Sequence, residues 1–63
     1  MRVYIKLLNG KTVAVYADTV DKALLEIQTM EGVSIDKLCL LHNGKIINEL
    51  MEDSLLQLSI RLV

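Results

Sequence analysis

The side chains able to make or break bonds are few in this chain, and they are poorly placed for one another. Cys39 is the only thiol and His42 the only imidazole. If the segment around them is a strand, Cys39 and His42 fall on opposite faces. Cys39 then points outward near Arg61, with no histidine in register to act as its base, so it reads as a spectator thiol. A lone cysteine closes no intramolecular disulfide, and one histidine completes no Cys/His metal set. No Ser/His/Asp constellation, paired carboxylates or Gly-rich phosphate loop occurs. The expectation is a protein without catalytic residues, cofactor or metal. What remains chemically distinctive is "LHNGKII", Leu41 to Ile47, an Asn-Gly pair between apolar residues followed by Lys45.

Charge and composition narrow the partners. Seven Lys and Arg stand against eight Asp and Glu, interleaved along the chain, for a net charge of -1. Neither a basic stripe nor an aromatic stacking platform is present, so nucleic acid is not an expected partner. No apolar run approaches the roughly 20 residues of a membrane span, and no signal peptide is recognisable. A chain of 63 residues permits one domain, residues 1–63, and one small core. With no disulfide or metal to help, that core must come from packing, and 52% of the residues are apolar. The free thiol fits a reducing compartment, cytoplasmic or nuclear.

The elements that must position these residues follow from periodicity. Met1, Val3, Ile5 and Leu7 alternate with Arg2, Tyr4, Lys6 and Leu8, which is strand spacing. "NGKT" then signals a hairpin into a second run with Val13, Val15 and Ala17 inward. Tyr4 and Tyr16, on the outer face of this hairpin, are expected to pack as a cross-strand pair. The period changes at Val20, Ala23, Leu24 and Ile27, which share one face of a helix. Thr19 or Asp18 suits its N-cap, Asp21 suits its first turn, and Gly32 suits a left-handed C′ position with Val33 beyond it. Strand character returns from "DKLCLLH", with Leu38, Leu40 and His42 on one face and Cys39 and Leu41 on the other. Asn43-Gly44 turns the chain into a short strand around Ile46 and Ile47. In "SLLQLSIRLV", Leu56, Leu58, Ile60 and Leu62 alternate with Leu55, Gln57, Ser59 and Arg61. The order is ββαββ, an α+β fold with one helix on one face of a mixed sheet. The last strand is the most apolar and belongs in the centre, parallel to the first. Leu58, Ile60, Ile5 and Ile27 are the expected heart of the core.

These segments resemble the ubiquitin-like family from end to end. "MRVYIKLLNGKT" resembles that family's opening strand and hairpin, with "GKT" identical. "IQTMEG" is similar to the end of its helix, "LLHNGKII" to its third strand, turn and lysine, and "SLLQLSIRL" to its last strand with the arginine before the tail. The resemblance implies a β-grasp fold. There are departures as well. The loop before the helix and the connection from Ile47 to Leu55 are shorter, with Leu50 expected to cover the sheet end, and prolines flanking the helix are missing. The chain stops at "RLV" without Gly-Gly, so conjugation or carrier chemistry at a terminal glycine is not expected of it.

By the same resemblance, partners would dock on the exposed sheet face. The matching positions are Leu8, Leu41 and Ser59, with Gln57 in place of a histidine and Lys45 and Arg61 as flanking cations. Strand alternation independently puts Leu41, Gln57, Ser59 and Arg61 away from the helix. The expected occupant is a ubiquitin-binding-type helix or an extended acidic-apolar peptide from the ubiquitin pathway, bound by a monomer. A solvated face without a partner is the plain alternative. A modifier or sulfur carrier lacking its Gly-Gly end, or a minimal or designed scaffold of this fold, is the other. Lys6, Lys11 and Lys45 match lysines that accept conjugation, although solvated surface lysines explain them as well.

Overall fold

A computed structural model describes residues 1–61. Five strands form one sheet: β1 (Arg2–Lys6), β2 (Thr12–Tyr16), β3 (Leu38–His42), β4 (Lys45–Ile46) and β5 (Leu55–Ile60). The helix α1 (Val20–Glu31) and a 3₁₀ turn (Ile35–Lys37) are the other elements among the described residues. The strand order is β2-β1-β5-β3-β4, with β1 and β5 parallel at the centre and the other neighbours antiparallel. This is an α+β, β-grasp-like arrangement, with β5 in the middle and parallel to β1 as expected.

Local chemistry explains the boundaries. The Thr19 side-chain oxygen accepts the Lys22 N–H at 3.2 Å, so Thr19 rather than Asp18 caps α1. At the other end Gly32 takes φ 70°, its N–H donating to the Gln28 carbonyl at 2.8 Å. The Gln28 amide oxygen accepts the Ile35 N–H at 2.9 Å, which fastens the 3₁₀ turn to the helix. That turn occupies Asp36 and Lys37, where strand character was expected, and β3 begins only at Leu38.

The two Asn-Gly pairs make different turns. Asn43 (φ 53°) and Gly44 (φ 79°) both adopt left-handed backbone between paired His42 and Lys45, as a two-residue type I′ hairpin requires. At the first hairpin only Gly10 has positive φ, 88°. Its N–H donates to the Leu7 carbonyl at 3.0 Å, so the loop is Leu8, Asn9 and Gly10, a tight turn closed by a left-handed glycine. The Asn9 side chain accepts the Lys11 N–H at 3.0 Å, which holds this alternative.

Val3, Ile5, Ala23, Ile27, Leu38 and Leu40 are fully buried, and Leu50 closes one end of the cluster as expected. Two sequence expectations are corrected, for Ile60 and for the tyrosine pair. Ile60 is 47% exposed: it ends β5, whose pairing with β1 stops at Gln57, so Leu38 of β3 flanks it on one side alone. Leu38 and Leu40 take its place in the core, and Leu62 lies outside the described residues. Cys39 sits on the outer face opposite Ser59, as expected, and is only 5% exposed. The tyrosines are not directly opposed. Tyr4 pairs with Ala14 and Tyr16 with Arg2, and the Arg2 guanidinium lies 5.5 Å from the Tyr4 ring centre.

Candidate docking face on the sheet

The face turned away from α1 is organised by register. Ile46, Leu41, Gln57, Lys6 and Thr12 are successive partners across all five strands and form one row. Cys39 and Ser59 make the row on one side of it. Leu55, Tyr4 and Ala14 make the row on the other. Because β3, β5 and β1 are hydrogen-bonded neighbours, these side chains are held on a rigid surface rather than on loops.

Of the residues expected here, Leu41 and Gln57 are brought together as direct partners. They line a shallow depression of about 250 Å³ with Lys6, Asn43, Gly44, Leu55 and Leu56. Leu41 and Ser59 are half-buried, and Gln57 is exposed. Leu8 is 45% exposed in the β1–β2 turn and does not line the depression. Lys45 pairs with His42, so strand alternation turns it to the face opposite Leu41 and Ile46, and it does not line the depression as the sequence led one to expect. Arg61, just past β5, donates its N–H to the Lys37 carbonyl at 2.7 Å. It lines a different hollow, of about 310 Å³, with Cys39, Ile46, Ile47 and the start of α1.

Two apolar residues join the face that sequence reasoning did not select. Ile46 is 65% exposed beside Leu41, and Leu55 is 61% exposed beside Tyr4. The signal for Leu55 was its alternation with Leu56. The signal for Ile46 was the turn itself, since a two-residue loop at Asn43-Gly44 forces Ile46 opposite Leu41. Lys6, a direct partner of Gln57, is the cation nearest the centre of the row.

At the far end of the face, Arg2 binds the turn after Leu50. Its Nε and Nη2 donate to Asp53 Oδ1 at 3.1 and 2.9 Å. These bonds, followed by one to Tyr16, hold the guanidinium pKa above its ordinary value. Asp53 has φ 61° in a turn where the Ser54 N–H meets the Met51 carbonyl, and its own N–H donates to the Arg2 carbonyl at 2.7 Å. The short connection from β4 to β5 is therefore pinned to β1 from both its backbone and a side chain. His42 Nδ1 lies 3.3 Å from the Leu55 carbonyl oxygen, which engages the ring at the strand end, on the face opposite Cys39. Among the described residues no group of three His, Cys, Asp or Glu side chains is placed to hold a metal ion, and no helix is long and apolar enough to cross a membrane. No protein-family model matches the chain, and no curated protein matches it.

Proposed function

We propose that this chain is a non-catalytic, ubiquitin-like interaction domain that docks protein partners through the sheet face centred on Leu41. The observation that supports the reading best is the row Ile46, Leu41, Gln57 and Lys6, with Leu55 alongside. Exposed aliphatic side chains lie there beside an amide and a cation on paired strands. Such a surface suits an amphipathic helix or extended segment carrying apolar anchors and acidic flanks. Ubiquitin-binding-type helices of ubiquitin-pathway proteins, in the cytoplasm or nucleus, have that chemistry. The end-to-end resemblance of the sequence and the β-grasp-like sheet favour this class. The test is chemical-shift mapping with such a helix. Perturbations centred on Leu41, Ile46, Leu55 and Gln57 are the expected result. Perturbations confined to α1, around Leu25 and Thr29, would overturn the choice of face.

A further inference from the structure

The sheet has two open edges, and only one of them is guarded. β4 is two residues long, carries Lys45 and starts directly at the tight Asn43-Gly44 turn, all features that discourage another strand from adding to it. β2, at the opposite edge, reads "TVAVY": five residues with no charge, proline or glycine, rich in β-branched side chains. Its hydrogen bonding is fixed by its neighbours. The Leu7 N–H donates to Lys11 at 2.7 Å and the Ala17 N–H to Met1 at 2.9 Å. Bonded positions alternate in an antiparallel pair, so Val13 and Val15 bond inward to β1. The N–H and C=O groups of Thr12, Ala14 and Tyr16 therefore point out from the open edge, with no partner among the described residues.

We infer that this edge pairs with the β2 edge of a second copy of the chain, antiparallel and centred on Ala14, joining the two sheets into one. The edge is self-complementary. A two-fold axis at Ala14 sets Ala14 against its own copy and Thr12 against the copy's Tyr16, using every outward backbone group and opposing no like charges. The surface beside the edge is also suited to a copy of itself. An open hollow of about 540 Å³ is lined by Tyr16, Lys22, Leu25, Glu26 and Met30. Tyr16, Leu25 and Met30 are 68%, 50% and 48% exposed. Lys22 and Glu26 place both signs of charge, one helical turn apart, on that flank. A two-fold axis brings this mixed apolar and charged flank toward its copy on the helix side of the joined sheet. The Leu41 face stays open, so this association and the proposed docking do not compete, and a dimer would replace the monomer expected from the sequence.

Sedimentation velocity from about 10 µM to 1 mM spans the range in which so small an interface populates a dimer. The wild-type chain should shift from monomer to dimer across it. Ala14 is exposed and its N–H is unused by the fold, so Ala14→Glu and Ala14→Lys should each keep the wild-type circular dichroism. Each alone should dimerise about fivefold more weakly, because like charges meet at the axis. An equimolar mixture of the two should recover dimer, as only this register sets residue 14 against itself. A wild-type chain that stays monomeric throughout would overturn the inference. So would dimerisation unchanged in both variants, or a mixture no stronger than either variant alone.

Discussion

Ile46 and Leu41 stand side by side on the outer face, yet they differ in what they contribute. Ile46 is 65% exposed and contributes little to the fold, while Leu41 is half-buried between β4 and β5. Ile46→Ala should therefore weaken partner binding by about 1–2 kcal/mol with almost no change in melting temperature. Leu41→Ala should weaken binding by a similar amount with a measurable loss of stability as well. Calorimetric titration beside thermal melts separates the two effects, and unchanged affinity in both variants would remove this face from consideration. In the core the contrast is sharper. Leu40→Ala, at a fully buried site, should cost about 2–5 kcal/mol, whereas Ile60→Ala, at a strand end 47% exposed, should cost less than about 1 kcal/mol. Equal shifts in denaturation midpoint would contradict the assigned burial.

At the scale of elements, turns and caps decide which face each side chain occupies. Gly44 has φ 79° and open space around the position of a Cβ, so Gly44→Ala meets no clash and costs only its left-handed backbone, about 1 kcal/mol. Because this turn fixes the pairing of Leu41 with Ile46, a larger loss accompanied by shifts in β4 amide resonances would signal a slipped register. Thr19→Ala removes the oxygen that accepts the Lys22 N–H and should cost about 1 kcal/mol, read as a lower urea midpoint at constant slope. Thr19→Asp should retain most of the stability, since a carboxylate caps the same N–H and favours the positive end of the helix dipole. If Thr19→Ala were silent, α1 would draw its start from packing alone.

For the whole molecule, near-neutral net charge means that long-range steering must come from local cations rather than from an overall field. Lys6 lies in the central row, Arg61 follows the end of β5, and Lys45 alternates to the other face beside the Asn43-Gly44 turn. An acidic-apolar peptide should lose association rate as salt rises from about 0.05 to 0.5 M, with its dissociation rate nearly unchanged. Lys6→Ala should flatten that dependence more than Lys45→Ala. The reverse order, seen in stopped-flow traces, would move the centre of the patch toward the Asn43-Gly44 turn. A domain of this size has a total stability of only about 5 kcal/mol, so these tests belong on surface positions where folding is not at stake.

Periodicity in the amino-acid sequence was sufficient for the strands and the helix, the C-terminal glycine of α1, the central place of β5 and the outward alternation of Leu41, Gln57 and Ser59. Those features rest on local spacing and on the alternating apolar run of the last segment, both of which are written along the chain. The 3₁₀ turn at Ile35–Lys37 and the choice of Thr19 over Asp18 as cap were not legible in it. Tertiary structure decided what depends on neighbours distant in sequence. Alternation placed Cys39 outward, but that it is only 5% exposed there depends on the folded surroundings. Two identical Asn-Gly pairs looked alike until the Asn9 side chain engaged Lys11 in one, while register with β3 set the other. Ile60 alternates with the core residues, yet the end of the sheet leaves it half in solvent. Ile46 and Leu55 became part of the face only when β4, β3, β5 and β1 were laid side by side. A side chain's direction follows from the residue before it, whereas its burial follows from whatever the folded chain brings above it.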